Sequence, residues 1–115
     1  MRSLRDILKE ADKKGVAIGH FNISDLGMLN AIAEVARELN VPVIIGTSEG
    51  EREFIETKEA AALVKTLRDE HDQEIFLNAD HTHSLEKIKE AVKAGYDAVL
   101  FDGGKLPMEE NIRQT

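Results

Sequence analysis

The stretch "EIFLNADHTHS", residues 74–84, decides the fold and marks the candidate site. The apolar run 75–77 is typical of a buried strand, and Asn78, Asp80 and His81 follow it almost at once. Polar groups left unpaired beside a core destabilise a protein, so these side chains need partners. The sequence leaves two explanations open here: the polar groups cap the next helix, or they bind a metal or a substrate.

Apolar strands of the same kind recur on both sides of this stretch. We predict four strands, at 16–22, 41–48, 75–80 and 97–104. Helices with apolar residues at i, i+3, i+4 and i+7 precede the first strand and separate the others, and Pro107 suits the first turn of one more. Such alternation, with near-continuous apolar strands, favours a parallel sheet covered by helices.

The α/β repeat suits a (β/α)8 TIM barrel and also a doubly wound sheet, which periodicity alone does not separate. A complete barrel needs about 250 residues, whereas this chain has 115. We therefore interpret residues 1–115 as one incomplete domain that supplies about the first four β/α units. The edges of the first and fourth strands would then be unpaired, which favours association, and a homo-oligomer is expected.

The composition narrows the classes of partner. A formal net charge of −7 argues against nucleic acid and anionic membranes, since both require a basic face. There is no cysteine, which excludes disulfides and thiolate chemistry. No run approaches the roughly 20 apolar residues of a membrane span, and the charged N-terminus does not resemble a signal peptide. We expect a cytoplasmic protein with a small-molecule substrate.

Polar residues stand at the carboxyl end of every predicted strand: Asn22, Ser48, Asp80 with His81, and Asp102. Parallel α/β proteins build their sites at that end. Residues two apart share a strand face, so Asn22, Asp80 and Asp102 converge if these faces line one interior. Each of Asn22, Ser48 and Asp102 taken alone is also a common turn or cap residue.

The histidines differ in what they predict. His81 is a plausible zinc ligand with carboxylates on either side to orient it, and the alternative is a helix cap. His83 completes an H-x-H pair, but Ser84 is the natural cap of the next helix. We interpret His20 as a core or lumen residue and His71 as solvated. The charged runs 49–59 and 65–74 are interpreted as solvated helix faces.

Four motifs carry a family resemblance: "GHFN" (19–22), "TSEG" (47–50), "NADH" (78–81) and "AGYDAVLFDGGKLPMEENI" (94–112). In this order and spacing they resemble the N-terminal half of a class II, zinc-dependent fructose-1,6-bisphosphate aldolase. The resemblance covers the whole chain. Tagatose-bisphosphate aldolases of the same family share these motifs, so the family is better defined than the substrate.

The resemblance implies a TIM barrel that cleaves a ketose bisphosphate to dihydroxyacetone phosphate and an aldehyde, in glycolysis or gluconeogenesis. Asp80 would be the catalytic residue that handles the proton of the C4 hydroxyl, and His81 the first zinc ligand. Asn22 and Ser48 would contact the substrate, and Asp102 would contribute to a second metal position. The family's other two zinc histidines lie beyond Thr115, so the chain alone is expected to be inactive.

Two other functions remain open from the sequence. A barrel-type metal hydrolase would explain the H-x-H pair, although that class carries the motif on its first strand rather than its third. A non-catalytic half-barrel module that associates with itself would explain the unpaired edges without any metal at His81.

Overall fold

The computed structural model describes residues 1–115 and consists of six helices and four strands. The helices are α1 Leu4–Lys14, α2 Leu26–Glu38, α3 Glu49–Phe54, α4 Thr57–His71, α5 Leu85–Ala94 and α6 Met108–Gln114. The strands are β1 Gly19–Asn22, β2 Val43–Ser48, β3 Ile75–Thr82 and β4 Ala98–Phe101. None of the helices is both long and apolar enough to cross a membrane.

All four strands are parallel and lie in one sheet in the order β1-β2-β3-β4. Each strand is therefore placed beside its predecessor, always on the same side. A doubly wound sheet reverses direction after its first strands, whereas a barrel adds strands in sequence. The strand order confirms the α/β class and agrees with a segment of a barrel.

Helices cover one face of the sheet. The core on that face is formed by thirteen buried residues, which are Ile23, Tyr96 and eleven residues of β2, β3 and the helices α2, α4 and α5. On β2 and β3 the residues Val43, Ile45, Ile75 and Leu77 alternate with residues that point to the other face, as the pleat requires. This face carries the larger of the two apolar cores.

Helix α1 covers the lower part of the opposite face, which we call the inner face. Leu4 and Ile7 of α1 pack on Phe76, and Ile18 and Ile44 lie partly buried around them. A capping box fixes the start of α1, where Ser3 accepts from the backbone of Asp6 and the Asp6 carboxylate accepts in return. The base of the inner face is closed in this way, and its upper part, at the carboxyl ends of the strands, stays open.

Two features differ from the sequence-based expectation. The strands β1 and β4 are only four residues long, shorter than the predicted 16–22 and 97–104. The charged run 49–59 contains a separate short helix, α3, and its Arg52 is only 6% exposed. The prediction that this whole run is a solvated helix face is therefore wrong at Arg52.

Candidate active site

Asn22 and Asp80 meet at the open end of the inner face. Nδ2 of Asn22 donates to Oδ2 of Asp80 at 3.2 Å and to Oε2 of Glu51 at 3.0 Å. Both donor positions of the amide are thus used on carboxylates from different elements. The Asp80 side chain is 16% exposed, so its carboxylate is fixed yet open to solvent.

His81 lies directly beside Asp80 in an unusual backbone conformation. Its φ of 43° is in the left-handed region, which is uncommon for a residue with a side chain. The pairing of β3 with β4 shifts register between Ala79 and Thr82, so His81 lies in an irregular part of the ladder. This irregularity breaks the alternation of β3 and leaves the His81 side chain 61% exposed at the mouth of the site.

Asp102 orients the imidazole of His81. Nδ1 of His81 donates to Oδ2 of Asp102 at 3.0 Å, and Oδ1 of Asp102 accepts from the backbone N–H of Gly104 at 3.1 Å. With Nδ1 as the donor, Nε2 carries the lone pair and lies 3.8 Å from Oδ2 of Asp80. Such a carboxylate–histidine pair is the arrangement that holds metal-binding imidazoles in proteins.

The charges around His81 favour a cation at this point. The hydrogen bond that His81 donates to Asp102 and, second to it, the charge of Asp80 raise the pKa of His81 above its ordinary value. The same bond to His81, together with the N–H of Gly104, holds the pKa of Asp102 below its usual range. The two carboxylates that stabilise a proton on the ring would equally stabilise a metal ion at Nε2.

Ser48 is occupied as a helix cap. Its Oγ accepts from the backbone of Glu51 at 3.2 Å, and Oε2 of Glu51 accepts from the backbone of Ser48 at 2.7 Å. This capping box begins α3 and holds the Glu51 carboxylate against Asn22. Ser48 pairs in register with Asp80, so its hydroxyl lies at the same level of the sheet.

Arg52 ties the ends of two strands together beneath the site. Its guanidinium donates to the carbonyl oxygen of Thr47, to the carbonyl oxygen of Asp80 at 3.3 Å and to Oγ1 of Thr82 at 2.7 Å. The last two partners flank His81 on either side. Arg52 thus stabilises the irregular segment of β3 that presents the imidazole.

The remaining histidines have other partners. The N–H of His83 donates to Glu49 at 2.8 Å and its ring donates to the carbonyl oxygen of Asp102 at 3.3 Å. His20 lies on the inner face and contacts Asn78 at 3.1 Å. Ser84 caps α5, as its position predicts, so neither His81 nor His83 serves as that cap.

The structure joins four of the five site residues predicted from sequence, Asn22, Asp80, His81 and Asp102, by direct hydrogen bonds or close approach. Ser48 connects to them through Glu51. Glu51 and Arg52 were missed. The S-x-x-E pattern of a capping box at 48–51 could have placed Glu51 here, but no local pattern predicts that Arg52 is buried.

The donor chemistry at the mouth suits zinc, which prefers imidazole nitrogen and carboxylate oxygen. No group of three His, Cys, Asp or Glu side chains is arranged to hold a metal ion, however. Nε2 of His81, 3.8 Å from Oδ2 of Asp80, is the imidazole nitrogen that these residues offer to a metal. These residues therefore fit part of a zinc site, and a complete site would require further ligands.

The fold and the site together define a class of protein: a parallel α/β barrel segment of the kind that carries enzyme sites at the carboxyl ends of its strands. Solved structures agree. The YdjI aldolase of Escherichia coli K12 superposes with a TM-score of 0.86 and 26% identity, covering 98% of this chain and 44% of that chain. The fructose-bisphosphate aldolase of Campylobacter jejuni, at 22% identity and a TM-score of 0.79, shares the fold over 96% of this chain and 40% of its own.

Sequence comparison gives the family. The family model for class II fructose-bisphosphate aldolase matches residues 2–115. The fructose-bisphosphate aldolase of Staphylococcus aureus is 36% identical over 118 residues, and the probable fructose-bisphosphate aldolase of Bacillus subtilis is 35% identical over 116. The chain belongs to the class II fructose-bisphosphate aldolase family.

The match covers nearly all of this chain but less than half of each relative. It covers 98% of this chain but 41% of each relative. The chain thus spans about two fifths of the length of the curated relatives it matches.

Proposed function

We propose that the complete polypeptide carrying these residues is a zinc-dependent lyase that cleaves fructose 1,6-bisphosphate reversibly to dihydroxyacetone phosphate and glyceraldehyde 3-phosphate. The observation that carries the proposal is the Asn22–Asp80–His81–Asp102 arrangement at the open end of the barrel segment. The names of the relatives favour fructose bisphosphate over its tagatose epimer.

Asp80 is the proposed acid–base group. Its carboxylate is held by Asn22 and remains reachable from solvent, so it can take the proton of the C4 hydroxyl as the carbon–carbon bond breaks. In the synthetic direction it returns that proton. A fixed carboxylate is required because proton transfer depends on hydrogen-bond distance to the reacting group.

His81 is the proposed metal ligand through Nε2, and Asp102 keeps its Nδ1 protonated so that Nε2 stays free. Bound zinc would supply Lewis-acid polarisation of the ketone oxygen. Asp102 also retains the role proposed from the family, a contribution to a second metal position. Its Oδ2 is engaged by His81, so it would serve one role or the other at a time.

Asn22 and Ser48 are the proposed substrate-binding residues. Both hydrogen bonds of the Asn22 amide are donated by Nδ2, so its Oδ1 atom accepts none of them. It can therefore accept from a sugar hydroxyl. The hydroxyl of Ser48 accepts from Glu51, and its own proton is available to a phosphate oxygen.

The test compares Asp80→Asn with wild type in the complete polypeptide. We expect turnover to fall about 10²–10⁴-fold, the usual worth of a positioned proton-transfer group, while the zinc content stays near normal. Asp12→Asn, on the exposed side of α1, is the matched control and should keep wild-type turnover.

The opposite pattern would contradict the assignment. If Asp80→Asn lost its zinc and recovered turnover when metal was added back, Asp80 would support the metal site and would not be the acid–base group. Assaying fructose and tagatose bisphosphate side by side in wild type also decides between the two substrates.

A further inference from the structure

Gly46 occupies the centre of the inner face, on the strand between β1 and β3. It pairs in register with Asn22 on one side and with Asn78 on the other. His20 lies two residues before Asn22 and Asp80 two residues after Asn78, so all four polar side chains point to the face that Gly46 shares.

Side chains of β1 and β3 touch each other across β2 at this level. His20 contacts Asn78 at 3.1 Å, and Asn22 donates to Asp80 at 3.2 Å. The two strands are not neighbours, and strands separated by one other lie about 10 Å apart. His20 and Asn22 lie over Gly46, the position at which β2 presents no side chain.

The space above Gly46 is filled by these residues. A Cβ atom at position 46 would lie 2.4 Å from Oδ1 of Asn22 and 2.5 Å from Cε1 of His20. Both distances are far below van der Waals contact. The atoms concerned are side-chain ends, so an added methyl group would displace the two side chains and leave the backbone of the sheet in place.

We propose that Gly46 is a positioning residue, and that its missing side chain lets His20 and Asn22 of β1 reach Asn78 and Asp80 of β3. The inference deepens the proposed function and rests on it. Displacing Asn22 removes the donor that orients the Asp80 carboxylate. Misplacement by about 1 Å is enough to cost about 10²-fold in rate.

Gly46→Ala in the complete, metal-loaded polypeptide tests the proposal. We expect kcat for ketose bisphosphate cleavage to fall at least about 10-fold, with a smaller change in KM and with melting temperature and zinc content close to wild type. Gly50→Ala is the matched control, because a Cβ at position 50 meets nothing within 4 Å. It should leave kcat unchanged.

Two results would overturn the inference. The first is a kcat of Gly46→Ala within about twofold of wild type. The second is a rise in KM alone, which would mean that the displaced Asn22 binds substrate but does not orient Asp80. If Gly46→Ala does not fold, His20→Ala takes its place, since it removes the lower contact without adding atoms. We expect a several-fold fall in kcat there, and an unchanged kcat overturns the inference.

An NMR measurement separates this inference from the proposed function. The side-chain amide resonance of Asn22, assigned with Asn22→Asp, should shift in Gly46→Ala and not in Gly50→Ala. A wild-type protein without aldolase activity refutes the proposed function whatever the spectra show. An active wild type whose Asn22 resonance does not respond to Gly46→Ala refutes the positioning role.

Discussion

Single residues in this chain are fixed mostly by contacts distant in sequence. The period-2 alternation of strands predicts that Asn22 and Asp80 share a face, and their hydrogen bond spans 58 positions. His81 departs from the alternation, and its exposure follows from a left-handed backbone that no local pattern indicates. Arg52 lies in a run of charges and is nevertheless buried, because its hydrogen-bond partners come from β2 and β3.

Tyr96 provides a residue-scale prediction. Its hydroxyl hydrogen-bonds to the buried Oγ1 of Thr47 at 2.9 Å, and burial raises the pKa of Tyr96 above its ordinary value. Tyr96→Phe leaves Thr47 unsatisfied, so we expect the free energy of unfolding of the complete polypeptide to drop by about 1–3 kcal/mol at pH 8.

The raised pKa also gives the sign of the pH dependence. The folded state holds the phenolic proton more tightly, so this stabilisation is complete below pH 10 and is lost as the pH rises through the folded-state pKa. Urea denaturation at pH 8 and pH 11 should show the difference between wild type and Tyr96→Phe shrinking. A constant difference would mean that Tyr96 ionises equally in both states.

Among the elements, the sequence predicts long ones well and short ones poorly. The helices α1, α2, α4 and α5 form where the pattern places them, and Ser84 caps α5 as predicted. The six-residue helix α3 was not separated from the charged run that contains it, since six residues are too few to show a period. The position of α1 on the inner face also has no sequence signal. An apolar stripe predicts that one side of a helix is buried, but it does not identify the element that packs against it.

Ile7 tests the role of α1 at this scale. Its side chain is 2% exposed and packs on Phe76 at the base of the inner face, whereas the adjacent Leu8 is 45% exposed. Ile7→Ala should reduce the free energy of unfolding of the complete polypeptide by about 2–5 kcal/mol. Leu8→Ala should change it by no more than about 0.5 kcal/mol. Equal effects in denaturant titrations would show that α1 does not cover the sheet as described.

At the scale of the molecule, the barrel segment is open at both edges. An apolar groove runs beside β1, lined by residues that include Phe21, Val35, Leu39 and Val41, each 46–66% exposed. At the other edge Val99 and Leu100 of β4 are 38% and 44% exposed. The four strands predicted from the sequence already imply these open edges, since four parallel strands are half of an eight-stranded barrel.

The central claim, that these 115 residues form an incomplete barrel, is tested most directly by sedimentation of the isolated chain. Each exposed apolar side chain at the two sheet edges would contribute about 1.5–3 kcal/mol if it were buried. A whole domain is stable by only about 5–15 kcal/mol. Analytical ultracentrifugation at micromolar concentration, with a thermal melt on the same sample, should therefore show an associated, molten or unfolded species. A monomer with a sharp cooperative transition would contradict the account and indicate a self-contained smaller fold.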